Sequence, residues 1–458
     1  MIGILSKAVK IKFIESTRYL QDGRLLKAKK LHYPALTFPL LAALTPPDIE
    51  VSMTHEIFED VDFEEKADLV GLTSITNNVF RAYEIADEFR RRHVPVVMGG
   101  FHASVEPQEA LEHADAVFIG EAEETWPRFL DDFRNGKPKK VYQAAAKPSL
   151  AGLPLPRLSL INPKHYRGYE RKGLARFFIK PAIPVQTARG CPFTCDFCDI
   201  THFHAGTYRP RPIPDVVNEI RKLGGSWICF VDDNIFAKYS RAKEFFRSLL
   251  PLKIRWVGQG TLAAAEDEEL LRLAKESGCY GILVGIETIS RSSLSSVHKE
   301  RLNKVELYEK YLRAYRKAGI DVDASMTFGF DDDGPDVFER TYRFLQRNRV
   351  PYAGLQPIRP SPGTPLFQKL KAEGRLKEDK WWLNKELTAR VYDLKFTGSK
   401  ISDTEFGPAL FRMYKRFYSP GSIMRRFLLP PQRGFLLKIL VTLALRRKIS
   451  PQAFISEY

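Results

Sequence analysis

Cysteine is scarce in this chain. Five thiols in 458 residues, none of them before Cys191, cannot make a disulfide framework. Long apolar runs are missing too. No stretch reaches the roughly 20 apolar residues that a bilayer-spanning helix needs. The start, Met1-Ile2-Gly3-Ile4-Leu5-Ser6-Lys7, is too short an apolar run for a secretory signal. Repeats and low-complexity tracts are absent. Acid is nearly missing at the end: from Phe406 onward ten basic residues face one acid, Glu457, a surplus of +9 in a chain of net charge +16. These absences predict a globular chain in a reducing, cytoplasmic compartment, with a tail suited to an anionic surface and to peripheral contact with a membrane. The hydrophobic fraction of 44% suffices for globular cores. The length suits two or three domains.

The little cysteine there is lies together. Cys191-Pro192-Phe193-Thr194-Cys195-Asp196-Phe197-Cys198 holds three thiols at the spacing C-x3-C-x2-C. Three thiolates this close suit a multinuclear centre. A 4Fe–4S cluster usually takes four cysteines, so with three one iron keeps an open coordination position. Val185-Gln186-Thr187 reads as the end of a buried strand, and Arg189-Gly190 opens a loop. Phe193 and Phe197 can give the cluster an apolar shell. A zinc knuckle is the competing reading, with His202 or His204 as fourth ligand. Cys229 and Cys279 sit in apolar surroundings and read as buried thiols.

At these residues the chain resembles the radical S-adenosylmethionine (radical SAM) superfamily. The resemblance implies that Cys191, Cys195 and Cys198 hold the cluster. The open iron would chelate S-adenosylmethionine, and one electron would cleave it to methionine and a 5′-deoxyadenosyl radical. Phe197 would lie beside the adenine. A flavodoxin or ferredoxin would supply the electron.

Upstream, strands and helices alternate, which predicts a doubly wound α/β domain over residues 1–147. Candidate strands are Ile49–Thr54, Leu69–Ser74, Val94–Met98 and Ala116–Ile119, with a helix at Val79–Arg92. Ligands bind such sheets beyond the carboxyl ends of the strands. Thr73, Ser74, Gly99, Gly100 and Gly120 fall there, and glycine lets backbone approach a ligand closely. The region resembles the Rossmann-like cobalamin-binding domain of one radical SAM class. That implies cobalamin beside these residues. The D-x-H-x-x-G motif of cobalamin mutases is absent, so no lower axial histidine is assigned, His102 included.

Residues 148–182, with four prolines from Pro148 to Pro163, read as a linker. Residues 183–370 hold six buried-strand candidates beginning near Ile183, Trp227, Ile254, Gly281, Ala324 and Gly354. They resemble the (β/α)6 partial barrel of radical SAM enzymes, and barrels place their chemistry at the strand carboxyl ends. Those ends offer Asp232, Asp233 and Asn234, then Gln259, then Glu287 with Arg291 four residues on. An Asp or Asn there can simply cap a helix, and Arg291 can simply pair at the surface. The resemblance implies cofactor contacts instead: Asp232 or Asp233 to the methionine ammonium, Glu287 to the nucleoside or methionine part. Pro360-Ser361-Pro362-Gly363-Thr364-Pro365-Leu366 resembles the segment that ends the barrel in the cobalamin class.

Residues 371–458 are expected to be a basic helical region. Gly434–Leu445 is an apolar helix between basic flanks, fit either to lie in a membrane interface or to dock on the barrel. The functional expectation is cobalamin-dependent methylation of an unactivated carbon of a small hydrophobic metabolite. Cobalamin-free radical cyclisation, rearrangement or coupling of a lipid or tetrapyrrole-like substrate is the alternative. The resemblance extends to hopanoid and bacteriochlorophyll methylases and to the anaerobic cyclase of bacteriochlorophyll synthesis. A nucleic-acid methylthiotransferase is disfavoured, because those carry extra cysteines near the N-terminus.

Overall fold

The computed structural model describes residues 9–166, 181–428, 432 and 434–451. Part of the expected linker, residues 167–180, lies outside the described residues. The chain forms two compact units: Met1–Glu170 with Lys380–Ala389, and Arg171–Asp379 with Arg390–Tyr458.

The first unit is built on six strands: β1 (Lys10–Glu15), β2 (Glu50–His55), β3 (Leu69–Thr73), β4 (Val96–Gly99), β5 (Ala116–Ile119) and β6 (Val141–Gln143). Their order is β2-β1-β3-β4-β5-β6 and every pairing is parallel. This is a doubly wound sheet whose order reverses between β1 and β3. The helix Val79–Arg91 buries Val79, Ala82, Tyr83, Ile85, Ala86 and Phe89. Phe13 of β1 lies in the core, stacked on Phe38 at 4.6 Å and near Trp126.

Strand β1 was not expected from its basic sequence, yet it is central. It can be so because Lys12, 1% exposed, is satisfied by the Glu65 carboxylate and by Asp62 O at 3.1 Å. A buried ammonium is tolerated only with such partners. Lys380–Ala389 also belongs to this unit: Trp382 Nε1 donates to Glu109 Oε1 at 2.9 Å.

The second unit has β7 (Ala182–Val185), the short β8 (Ala188–Arg189) and β9 (Arg209–Pro210), then β10 (Trp227–Phe230), β11 (Arg255–Gly260), β12 (Cys279–Glu287), β13 (Asp321–Phe328) and β14 (Tyr352–Pro357). The main sheet runs β14-β13-β12-β11-β10-β7, all parallel. Burial alternates along it. Trp256, Ile282, Val284, Val322 and Ala324 are buried, while Gln259, Leu283 and Gln356 between them are exposed. One face is therefore sealed and the other left open, which is how a partial barrel presents a reaction space. Helices Asp403–Phe417, Pro420–Leu428 and Phe435–Arg446 make the C-terminal helical region. Among the described residues no helix is long and apolar enough to cross a membrane.

Candidate functional site

The cysteine loop leaves the sheet after β7 and is closed at its base by the antiparallel pair β8–β9. Later segments pin it. Gly190 N donates to Asp233 Oδ2 at 2.7 Å, Asp196 N to Val297 O at 3.2 Å, and Leu366 N to Asp196 O at 3.1 Å. His298 Nδ1 lies 2.8 Å from Asp196 Oδ2. The segment Pro360–Leu366 thus locks onto the cysteine loop. Gly190 has φ +81°, and a Cβ there would stand 2.0 Å from Thr207 O, so only glycine fits immediately before Cys191.

The three thiols sense one another electrostatically. Burial pushes the Cys195 thiol up to about 12, with the Lys299 ammonium pulling the other way. Burial also raises Cys191, which Asn234 Nδ2 approaches at 4.0 Å. Thiols so disfavoured as anions ionise when iron supplies the local positive charge, so the donor set fits a cluster. Among the described residues no three His, Cys, Asp or Glu side chains converge on a single metal ion.

Beside the cysteines lies a buried polar group around Glu287. This residue ends β12 at φ +63°, next to a register shift between Gly285 and Glu287. A non-glycine residue in that region stores strain on the order of 1–3 kcal/mol, and the irregularity re-aims its side chain. Glu287 Oε1 accepts from Lys299 Nζ at 2.5 Å and Oε2 from Thr327 Oγ1 at 2.7 Å. A Cβ on Gly285 would meet Glu287 Oε1 at 2.3 Å. Asn303 Nδ2 donates to Gly285 O and Ile286 O, fixing the same turn. The Lys299 ammonium also lies 5.5 Å from the Phe197 ring centroid.

The carboxylates after β10 divide their work. Asp232, which with Asp233 is a candidate for the cofactor's amino group, accepts from Thr187, whose N donates at 2.6 Å and whose Oγ1 donates to the other oxygen. Its carboxylate ties the end of β7 to β10, and burial pushes it up to about 6. Asp233 holds Gly190. Gln259 is exposed on the open face. Arg291 does not join the group. It is 74% exposed and pairs with Glu306 at 2.9 Å, because its helix, Arg291–Ser295, turns it to solvent. Arg211 is buried and paired with Glu219 at 2.6 Å. The sequence reading missed Lys299, Thr327 and Asn303; one lysine in a polar stretch carries no local signal.

In the first unit, Thr73, Ser74, Gly99, Gly100 and Gly120 gather at the strand carboxyl ends. Ser74 N donates to Gly99 O at 3.3 Å and His102 N to Ser74 O at 3.3 Å. Gly100 has φ +95°, and a Cβ there would meet Thr73 Oγ1 at 2.6 Å. Gly120 has φ +80° with open space where a Cβ would stand. Ser74 Oγ is buried without a hydrogen-bond partner among the described residues. An orphaned hydroxyl and an open glycine edge fit a large polar-rimmed ligand such as a corrinoid. His102 is fully buried between Thr76 Oγ1 at 3.2 Å and Glu109 Oε1 at 3.1 Å. It is a core histidine, not an axial ligand.

Comparison with known proteins agrees with both halves. Residues 44–130 match the B12 binding domain and residues 185–345 the radical SAM superfamily. The chain is 28% identical to the bacteriochlorophyllide d C-8(2)-methyltransferase of Chlorobaculum tepidum, over 90% of this chain and 91% of that protein. It is 30% identical to the cytidylyl-2-hydroxyethylphosphonate methyltransferase of Streptomyces wedmorensis, over 67% of each. The fold matches that of the radical S-adenosylmethionine methyltransferase TsrM from Kitasatospora setae, with TM-score 0.61 and 18% identity over 80% of this chain and 75% of that one. The chain therefore belongs to the radical SAM superfamily, in the class that carries a B12-binding domain, and is an enzyme whose cofactors are a 4Fe–4S cluster, S-adenosylmethionine and cobalamin.

Proposed function

We propose that the chain methylates an unactivated carbon of a small hydrophobic, tetrapyrrole-like metabolite. The observation that carries this reading is the presence in one chain of two sites, the three-thiol loop and the glycine-edged strand ends, where the buried Ser74 hydroxyl has no hydrogen-bond partner among the described residues. The cluster and S-adenosylmethionine supply a hydrogen-abstracting radical, and cobalamin carries the methyl group. Cys191, Cys195 and Cys198 hold the cluster. Glu287, fixed by Lys299 and Thr327, keeps unused lone pairs for hydroxyl or ammonium groups of S-adenosylmethionine. Asp233 orients the loop at Gly190 and faces the same space. Thr73, Ser74 and the backbone at Gly99, Gly100 and Gly120 hold the corrinoid. Gln259, Leu283 and Gln356 on the open face meet the substrate.

Methylation consumes S-adenosylmethionine in two ways. Anaerobic turnover with reductant, cobalamin and a bacteriochlorophyllide acceptor is expected to give 5′-deoxyadenosine and S-adenosylhomocysteine in equal amounts. 5′-Deoxyadenosine without S-adenosylhomocysteine would assign the chain to radical cyclisation or rearrangement. The variant with all three cluster cysteines replaced by alanine is the control, expected to lose about four irons. Attachment to an anionic membrane surface through the basic C-terminal region completes the proposal, since it would bring a lipophilic substrate to the enzyme.

A further inference from the structure

The first sheet carries a polar row that Thr73 and the glycines do not exhaust. Register sets His55 of β2, Glu15 of β1, Thr73 of β3 and Gly99 of β4 side by side across the strand carboxyl ends. Register partners in a parallel sheet share a face and stand about 4.8 Å apart. Glu15 and Thr73 flank the point between β1 and β3 where the strand order reverses, the place where an open α/β sheet takes its ligand. The Glu15 carboxylate accepts no hydrogen bond among the described residues, although its side chain is only 24% exposed. Burial, with no donor to oppose it, lifts that carboxyl to about 7. A largely buried carboxyl without a donor is costly, and in a native fold it calls for a partner.

His55 supplies the second half of the row. Its Nε2 stands 3.8 Å from Glu15 Oε2, beyond hydrogen-bond reach, and its Nδ1 lies 3.2 Å from the Tyr166 hydroxyl. Burial, and then the charge of His165, pull the imidazole down to about 4, so the ring is neutral near pH 7. In the tautomer where Nδ1 accepts from Tyr166, Nε2 carries the hydrogen and can donate it. Phe58 holds the ring edge-on at 4.8 Å and itself stacks on His165 at 4.4 Å. An acceptor and a donor this close, neither hydrogen-bonded to the other, match the N–H and C=O of one primary carboxamide. The loop beyond β3 adds an apolar surface, since Ile75 is 56% exposed. Ile75 N donates to Asn78 Oδ1 at 2.9 Å and Asn78 Nδ2 to Ser16 O at 2.9 Å, which ties this loop to the residue after Glu15.

We infer that Glu15 and His55 grip a peripheral carboxamide of the corrinoid, Glu15 accepting its N–H and His55 donating to its C=O, while Ile75 lies against the apolar ring. A corrinoid is an apolar macrocycle rimmed with primary carboxamide arms. An unfilled acceptor–donor pair beside an exposed isoleucine complements both features. The inference rests on the reading that places cobalamin at Thr73 and Gly99, and it extends that site to β1 and β2. It also gives Glu15 the donor that the fold withholds from it.

The test is equilibrium dialysis of the full-length protein against hydroxocobalamin, aquocobinamide and cobyrinic acid. The last two both lack the nucleotide tail, and cobyrinic acid carries carboxylates where cobinamide carries carboxamides, so their difference reports the rim groups. The variants are Glu15→Leu, Glu15→Gln, His55→Phe and Thr73→Val, with melting temperature and iron content as checks on folding. The expected result is hydroxocobalamin binding weakened about 10-fold in Glu15→Leu, weakened in His55→Phe, and weakened less in Glu15→Gln, whose amide oxygen still accepts. The unsubstituted protein should prefer aquocobinamide to cobyrinic acid, and Glu15→Gln should narrow that preference about 10-fold. Glu15→Gln removes the charge and keeps the shape, so it decides the matter if Glu15→Leu fails to fold. Weakening in Thr73→Val alone keeps the corrinoid placement and overturns the Glu15–His55 grip. A preference for aquocobinamide that Glu15→Gln leaves unchanged makes Glu15 a packing residue and overturns the grip as well. Full affinity in His55→Phe beside a weakened Glu15→Leu overturns the paired contact. No weakening in any variant, or no hydroxocobalamin bound by the unsubstituted protein, overturns the placement and the grip together.

Discussion

The Lys299 ammonium lies 2.5 Å from Glu287 Oε1, with the two side chains 9% and 7% exposed. Burial works against the ammonium, yet Glu287 and then Cys195 lift it above its ordinary value. One cation thus faces a carboxylate, a cluster thiol and the Phe197 ring together. It couples the residue expected at S-adenosylmethionine to the loop that carries the three clustered thiols.

Removing Lys299 should cost more than removing a surface charge. Lys299→Met leaves Glu287 buried without its partner, a loss of about 3–5 kcal/mol. The expected outcome is a large drop in urea midpoint and weak binding of S-adenosylmethionine, with iron content restored after reconstitution. Glu287→Gln in the Lys299→Met background should recover much of the stability but not the binding. A single variant with wild-type stability would show that the pair is not buried in solution.

Arg291 supplies the opposite case. Exposed and paired with Glu306, it should contribute less than about 1 kcal/mol to stability. Arg291→Ala is expected to leave S-adenosylmethionine binding unchanged in equilibrium titration. A tenfold loss of affinity would return Arg291 to the cofactor site.

Ser74→Ala should act with opposite signs on stability and on binding. Deleting a buried hydroxyl that has no partner among the described residues should raise the stability of the cobalamin-free protein by about 1 kcal/mol. Corrinoid retention on gel filtration should fall if that hydroxyl is a ligand contact. Lower stability together with unchanged corrinoid would make Ser74 a packing residue.

Asp323 gives stability a pH dependence. It lies on β13, and burial pushes its carboxyl up to about 6, with Tyr352 and Tyr418 as titratable neighbours. A group whose folded value is raised contributes stability that is complete below the unfolded value, near 3.9, and lost as pH rises through about 6. Asp323→Asn keeps the neutral form throughout. The variant should match the parent at pH 4 and exceed it at pH 8 by on the order of 1–3 kcal/mol, read from urea midpoints. Asp232 and Asp333, raised in the same direction, keep part of the slope in the variant. Equal midpoints at pH 8 would show Asp323 to be hydrated.

Local pattern alone determined much of this protein. Buried parallel strands are nearly continuous apolar runs, so β3, β5, β7 and β10 were legible to within one or two residues at their ends. Contiguity made the cluster loop legible, since Cys191, Cys195 and Cys198 lie within eight positions. Strand ends offered Asp232, Asp233, Gln259 and Glu287 as candidates because parallel α/β architecture places its chemistry there. Tertiary structure decided whatever depends on a distant partner. Lys12 sits in a central strand only because Glu65 reaches it. Asp232 became a clamp because Thr187, 45 residues earlier, returned to its side. Lys299 reaches Glu287 and Arg291 does not, although both follow Glu287 in a polar stretch, because Lys299 lies past the end of the helix Arg291–Ser295 and is buried, whereas Arg291 at the start of that helix points to solvent. The exposed leucines of the last helix, Leu436 and Leu440, were decided the same way: Lys438 found Asp321 across 117 residues and turned its own face inward. Hydrophobic period records which side chains prefer burial; it does not record which charge will find a counter-charge far along the chain.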